Sequence, residues 1–140
     1  MKDNSKILLV YTGGTIGMIK DYETGALKAF NFDELLHNIP ELKILEHEIE
    51  TMTFGDPIDS SNMNPEYWVK IANVIHERFD DYDGFVVLHG SDTMSYTASA
   101  LSFMFENLTK PIIFTGSVNK CCLHLVYDAY HHKKFAAWFK

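Results

Sequence analysis

The residues Thr12-Gly13-Gly14-Thr15 set two hydroxyls around a pair of adjacent glycines, directly after the apolar run Ile7–Val10. Paired glycines let a backbone turn sharply and come close to whatever lies beside it. A hydroxyl becomes a nucleophile at neutral pH when a base or charged partner activates it; Thr15 is the candidate here. Three further clusters carry the same residue types: Asp59-Ser60-Ser61-Asn62, His89-Gly90-Ser91-Asp92 and Thr115-Gly116-Ser117. A cleft lined by Thr12, Thr15, Ser60, Ser61, Ser91, Asp92, Thr115 and Ser117 suits a small zwitterion. Hydroxyls and backbone N–H groups hold its carboxylate, and Asp92 holds its ammonium. A phosphate site is the rival. No Gly-Lys-Ser/Thr follows Gly14, however, and Gly13, Gly14 and Gly17 do not form a dinucleotide G-x-G-x-x-G.

Plainer uses stand beside each of these. Thr15 would serve as the cap of a helix starting at Ile16, and Ser91-Asp92-Thr93 as the cap region of a later one. Asp59 and Ser60 would shape a turn. His89, closing an apolar strand, reads as a hydrogen-bonded core histidine in preference to a base. His131-His132 lacks a third metal ligand at helical spacing and reads as a solvated tail.

The elements that must carry these clusters follow from the apolar pattern. Ile7–Val10, Phe85–Leu88 and Pro111–Phe114 are short apolar runs, as expected of buried strands, and Leu42–Phe54 interleaves β-branched residues with charge, as expected of a half-exposed one. Between them, Asn31 caps a short helix through Leu36 that stops near Pro40. Asn64 caps another, with Pro65 at its first position and Trp68, Ile71, Ala72 and Ile75 on its apolar face. A third runs through Tyr96, Ala100, Leu101, Met104 and Phe105. Strands alternating with helices imply right-handed crossovers, hence an α/β fold with a mostly parallel sheet flanked by helices. Each polar cluster then falls just after a strand, so all of them converge on one edge of the sheet, where ligands of such sheets bind.

Composition narrows the function classes. At 140 residues with 46% hydrophobic residues, the chain has one domain's worth of core. A net charge of -7 argues against nucleic acid or an anionic membrane as partner. No apolar run has the length of a bilayer span or a secretory signal, so a cytoplasmic location is expected. Cys121 and Cys122 are adjacent and give neither a disulfide framework nor a metal spacing. Composition shifts near Val118: residues 118–140 hold four lysines against one acid, Asp128, with both cysteines and three of the seven histidines.

The blocks Tyr11-Thr12-Gly13-Gly14-Thr15-Ile16-Gly17-Met18 and Leu88-His89-Gly90-Ser91-Asp92-Thr93-Met94 resemble the two signature blocks of the bacterial L-asparaginases. Asp59-Ser60-Ser61-Asn62-Met63, Asp81-Tyr82-Asp83-Gly84-Phe85 and Ala98–Met104 resemble the cytoplasmic type I branch in particular. The resemblance implies an incomplete N-terminal domain of an asparaginase-like fold over residues 1–117. It also implies hydrolysis of the side-chain amide of L-asparagine to aspartate and ammonia through an acyl-enzyme on Thr15. By the same resemblance, Ser60 and Ser61, with Asp59 beside them, bind the α-carboxylate and Asp92 binds the α-ammonium. Ser91 stands at the second-block hydroxyl, next to backbone N–H groups that stabilise the oxyanion. No metal or organic cofactor is implied, and the intact family enzymes are homo-oligomers. An amidotransferase subunit of the same superfamily and a non-catalytic amino-acid-binding remnant are the alternatives.

This chain departs from the family pattern in three places. Ser91 replaces the usual threonine, keeping the hydroxyl but losing the β-branch that restricts χ1. Aligned on Gly25, the loop tyrosine that helps activate the family's threonine is Ala26 or Leu27 here; Tyr22, a few residues earlier, is the candidate substitute. The resemblance read from these motifs ends at Ser117, without the family's downstream lysine and smaller second domain. Residues 118–140 are therefore expected to be an atypical, family-unlike tail on a truncated chain with little or no catalysis of its own.

Overall fold

A computed structural model describes residues 5–29, 47–118, 121–127 and 136–138. The strands Lys6–Tyr11 (β1), Met18–Lys20 (β2), Leu27–Ala29 (β3) and Glu48–Thr53 (β4) come first, with a 3₁₀ turn at Thr15–Gly17. A second 3₁₀ turn at Ser60–Asn62 leads to helix Pro65–Glu77 (α1), strand Gly84–Leu88 (β5), helix Met94–Met104 (α2) and strand Ile112–Val118 (β6). Strands Cys121–Tyr127 (β7) and Ala136–Trp138 (β8) follow. The helix expected at Asn31–Leu36 lies outside the described residues.

The main sheet has the order β4-β1-β5-β6-β7-β8. β4, β1, β5 and β6 are mutually parallel, and β7 and β8 add on antiparallel. The chain leaves β1 toward β4 and then returns across β1 to β5. That reversal puts the crevice for a ligand beyond the carboxyl ends of β1 and β5. From β4 to β5 and from β5 to β6 the chain advances in one direction, so right-handed crossovers place α1 and α2 on the same face.

Side-chain alternation along the strands divides the burial. Leu8 and Val10, Phe85 and Val87, and Ile112 and Phe114 face the two helices, where Ile71 and Ile75 of α1 and Met94, Ala98 and Leu101 of α2 close the core. Each large side chain buried there contributes about 1.5–3 kcal/mol. The opposite face carries a smaller cluster, Tyr11 and Leu88, packed by Leu9, Val86 and Ile16 of the first 3₁₀ turn. α1 starts as its sequence dictates: Asn64 Oδ1 accepts from the N–H groups of Glu66 (3.0 Å) and Tyr67 (3.2 Å), with Pro65 at the first helical position.

Two differences from the pattern-based reading have clear causes. Thr115-Gly116-Ser117 does not follow its strand but lies inside it, because β7 pairs with β6 as far as Val118 and prolongs the ladder. The loop after the first block is no open coil either. β2 and β3 pair as a separate two-stranded ribbon, and the Asp21 carboxylate accepts from the N–H groups of Glu23 and Thr24 to close its turn.

Candidate active site

Three loops at the carboxyl end of the parallel strands lock together through backbone. The loop after β1 is tied to its neighbours at Thr12, whose N–H donates to Leu88 O (3.0 Å) and whose carbonyl accepts from the Ile58 N–H (2.8 Å). Gly13 and Gly14 then run at φ 150 and φ 89. The second value lies in the left-handed region that side chains resist. Neither position has room for a side chain. A Cβ on Gly13 would meet the Ile58 backbone, and one on Gly14 would sit 2.8 Å from Gly90 Cα and N. Gly90 is closed in turn by the loop after β4, since its Cβ would lie 2.6 Å from the Ser60 Cβ. The hydroxyl of Thr93 donates to Ser60 O (2.7 Å) and ties that loop to the start of α2. Gly14, Gly90 and Ser60 thus touch in sequence, and Thr15, Ser91 and Ser61 are the residues that come next.

The asparaginase N-terminal domain matches this chain over residues 6–129. The chain belongs to the asparaginase family. L-asparaginase 1 of Escherichia coli (strain K12) is 50% identical over 112 residues, 79% of this chain and 33% of that protein. A glutamyl-tRNA(Gln) amidotransferase subunit of Sulfurisphaera tokodaii is 42% identical over 119 residues, 84% of this chain and 26% of that protein. The crystal structure of L-asparaginase I from Vibrio cholerae superposes with a TM-score of 0.72 at 47% identity, covering 81% of this chain and 34% of that one. The fold is accordingly that of an asparaginase N-terminal domain. The chain spans about a third or less of the length of these relatives.

The candidate residues of this asparaginase domain fall into distinct environments. Thr15 is exposed at the head of its 3₁₀ turn, where Gly14 is the cap residue and no side chain caps the turn. Ser60 is buried and Ser91 half-buried, while Ser61 and Asp92 are exposed. Asp59 organises the second loop: its Oδ1 accepts from the Ser61 hydroxyl (2.7 Å) and the Ser61 N–H (2.9 Å). The hydroxyl first, and then the N–H, hold the Asp59 carboxyl below its ordinary pKa, so it stays ionised at neutral pH. Thr12, expected on the cleft wall, is buried, and its Oγ1 donates to Leu88 O (2.9 Å). It ties β1 to β5 and does not line the cleft. Tyr22 is 98% exposed at the tip of the β2–β3 ribbon, so this conformation does not bring it against the three loops.

Two buried polar side chains lie behind the loops, and the bonds they make could not be read from the blocks that contain them. Tyr11 O–H donates to Gly14 O (3.1 Å). His89 is fully buried, with Nδ1 2.6 Å from Gly90 O and Nε2 3.0 Å from Thr97 Oγ1, which accepts from the Trp68 indole N–H (3.1 Å). These partners fix the tautomer. The Gly90 carbonyl only accepts, so Nδ1 carries the ring proton and donates to it, and Nε2 accepts a hydrogen bond from the Thr97 hydroxyl. Burial pushes the His89 pKa below 6.5, against the weaker opposite pull of Gly90 O, and the ring is neutral at pH 7. His89 is therefore the core histidine its strand position suggested, and not a base.

Proposed function

We propose that this chain forms the nucleophile-bearing part of an L-asparaginase-type amidohydrolase. Thr15 Oγ attacks the side-chain carboxamide carbon of asparagine. The proton that leaves Thr15 reaches the departing nitrogen, ammonia is released, and a threonyl ester remains. Water then adds to the ester carbon, aspartate leaves, and the Thr15 hydroxyl is restored. Ser60 and Ser61 take the α-carboxylate, with Asp59 orienting Ser61. Asp92 takes the α-ammonium, and Ser91 with the N–H groups beside it faces the developing oxyanion, where one well-placed donor contributes about 3 kcal/mol. Tyr22 assists Thr15 when the β2–β3 ribbon folds over the loops. The reaction calls for no cofactor. On this reading the enzyme works in the cytoplasm, and its intact form is a homo-oligomer.

One observation carries the reading: the glycine-to-glycine contact of Gly14 with Gly90, which makes neighbours of the two loops that end in Thr15 and in Ser91-Asp92. The 42% identity to a glutamyl-tRNA(Gln) amidotransferase component supports a second reading, amide hydrolysis coupled to tRNA chemistry. The higher identity to L-asparaginase 1 and the net charge of -7, unfavourable for an RNA partner, favour the first. A non-catalytic amino-acid-binding role is the third reading. Ammonia release from asparagine and from glutamine by the purified chain, beside Thr15→Ala, separates them. Asparagine turnover that Thr15→Ala abolishes supports the proposal. Undiminished turnover in that variant refutes it, and calorimetric binding of aspartate without turnover selects the third reading.

A further inference from the structure

Tyr11 ends β1 on the sheet face away from the main core, where it packs with Leu88, Leu9, Val86 and Ile16. From there its O–H reaches three residues along the chain to Gly14 O (3.1 Å). The same carbonyl accepts from the Gly17 N–H (3.2 Å), which closes the 3₁₀ turn. Gly14 is the residue least able to hold itself in place. It lacks a side chain, and at φ 89 and ψ 160 it occupies a region from which glycine turns at little cost. Because the peptide is planar and trans, the direction of the Gly14 carbonyl also sets the N–H and Cα of Thr15. We propose that Tyr11 is a positioning residue for Thr15: with the Gly17 N–H it clamps the Gly14 carbonyl and so fixes the peptide that carries the nucleophile.

The clamp uses the phenol as a donor, not as a base. Its proton is engaged by Gly14 O, and burial raises the Tyr11 pKa above its ordinary 10.0, so the group stays protonated throughout the neutral range. Gly90 backs the bend from the other side, 2.8 Å from where a Gly14 Cβ would be. The bend is thus held at its carbonyl by Tyr11 and at its Cα by Gly90. Phenylalanine would keep the ring and its packing and remove only the donated proton. The assignment to Thr15 chemistry rests on the amidohydrolase reading; the clamp itself does not.

Tyr11→Phe in the full chain tests both parts. By NMR, the Gly14 carbonyl and the Thr15 and Gly17 amide signals shift while those of α1 and α2 stay in place. Exchange of the Gly17 amide speeds up about fivefold, the factor carried by one net hydrogen bond. Modification of Thr15 by an electrophilic asparagine analogue, followed by mass spectrometry, slows about tenfold at saturating probe with half-saturation within about twofold, as a displaced nucleophile requires. Tyr96→Phe, at an exposed tyrosine of α2, leaves the bend signals unchanged. Unchanged Gly14, Thr15 and Gly17 signals in Tyr11→Phe overturn the clamp. A loosened bend with wild-type modification rate overturns the positioning role. If Thr15 resists the probe in the wild-type chain, the nucleophile reading falls, and the exchange data still decide the clamp. Should the variant not fold, the wild-type Tyr11 O–H proton decides: slow exchange and a through-space contact to Gly14 support the clamp, and a proton in free exchange with water refutes it.

Discussion

Thr97 is where the buried chain from Trp68 to His89 can be cut at one atom. Thr97→Val replaces the hydroxyl by a methyl of similar size, so packing between α2 and the sheet is nearly kept. It strands the His89 Nε2 lone pair, fully buried, and the indole N–H of half-buried Trp68. An orphaned buried group costs about 1–3 kcal/mol. Taking about 2 for the histidine and about 1 for the less buried indole, Thr97→Val should cost about 3 kcal/mol. In a Trp68→Phe background there is no indole to strand, and the same change should cost about 2 kcal/mol, a coupling of about 1. Urea unfolding of the four proteins at pH 8, where His89 is neutral whether folded or not, measures this, provided the denaturant slope does not change. A cost for Thr97→Val below about 0.5 kcal/mol, or an equal cost in both backgrounds, would show that the three groups do not form the chain described.

Gly14→Ala combines a left-handed φ with a Cβ 2.8 Å from Gly90 backbone, and should lower unfolding free energy by about 3 kcal/mol or prevent folding; a loss under about 1 kcal/mol in denaturant melts would contradict the contact. His89 refuses in the folded chain a proton that the unfolded chain accepts below about pH 6.5, so its contribution is complete above that pH and declines as pH falls toward its lowered folded pKa. The slope is at most about 1.4 kcal/mol per pH unit, and His89→Gln should flatten thermal stability across pH 5–7 relative to wild type. Ser91→Thr restores the β-branch that restricts χ1 and should leave ammonia release equal or higher in a chain that turns asparagine over; a marked fall would count against Ser91 as a merely looser version of the family's group.

The parts of this domain that sequence made legible are those governed by local rules. Ile7–Val10 and Phe85–Leu88 are continuous apolar runs because strands buried on both faces must be, and Asn64-Pro65 announces α1 through cap chemistry alone. Gly13-Gly14 marks a bend without saying what it leans on. That Gly14 abuts Gly90, and Gly90 abuts Ser60, follows from strand order, which no residue pattern encodes. The fate of individual hydroxyls is equally hidden. Thr12 and Thr15 read alike, yet Thr12 turns into the sheet to bond Leu88 O whereas Thr15 is exposed. Trp68 reads as one more apolar contact of α1, and only the packing of α1 beside α2 gives its N–H a partner in Thr97. Thr115-Gly116-Ser117 has the composition of a loop, and the strand pairing that prolongs β6 through it comes from residues further along the chain.

Where the first and second signature loops meet, they do so main chain to main chain, with no side chain between them. Such a floor resists ordinary substitution, since a carbon added at Gly13 or Gly14 collides with backbone and one added at Gly90 collides with the Ser60 side chain. Diversification of what the crevice accepts is therefore confined to its rim. That rim includes Ser61 and Asp92, both exposed, whereas Gly13, Gly14 and Gly90 beneath it accept no side chain.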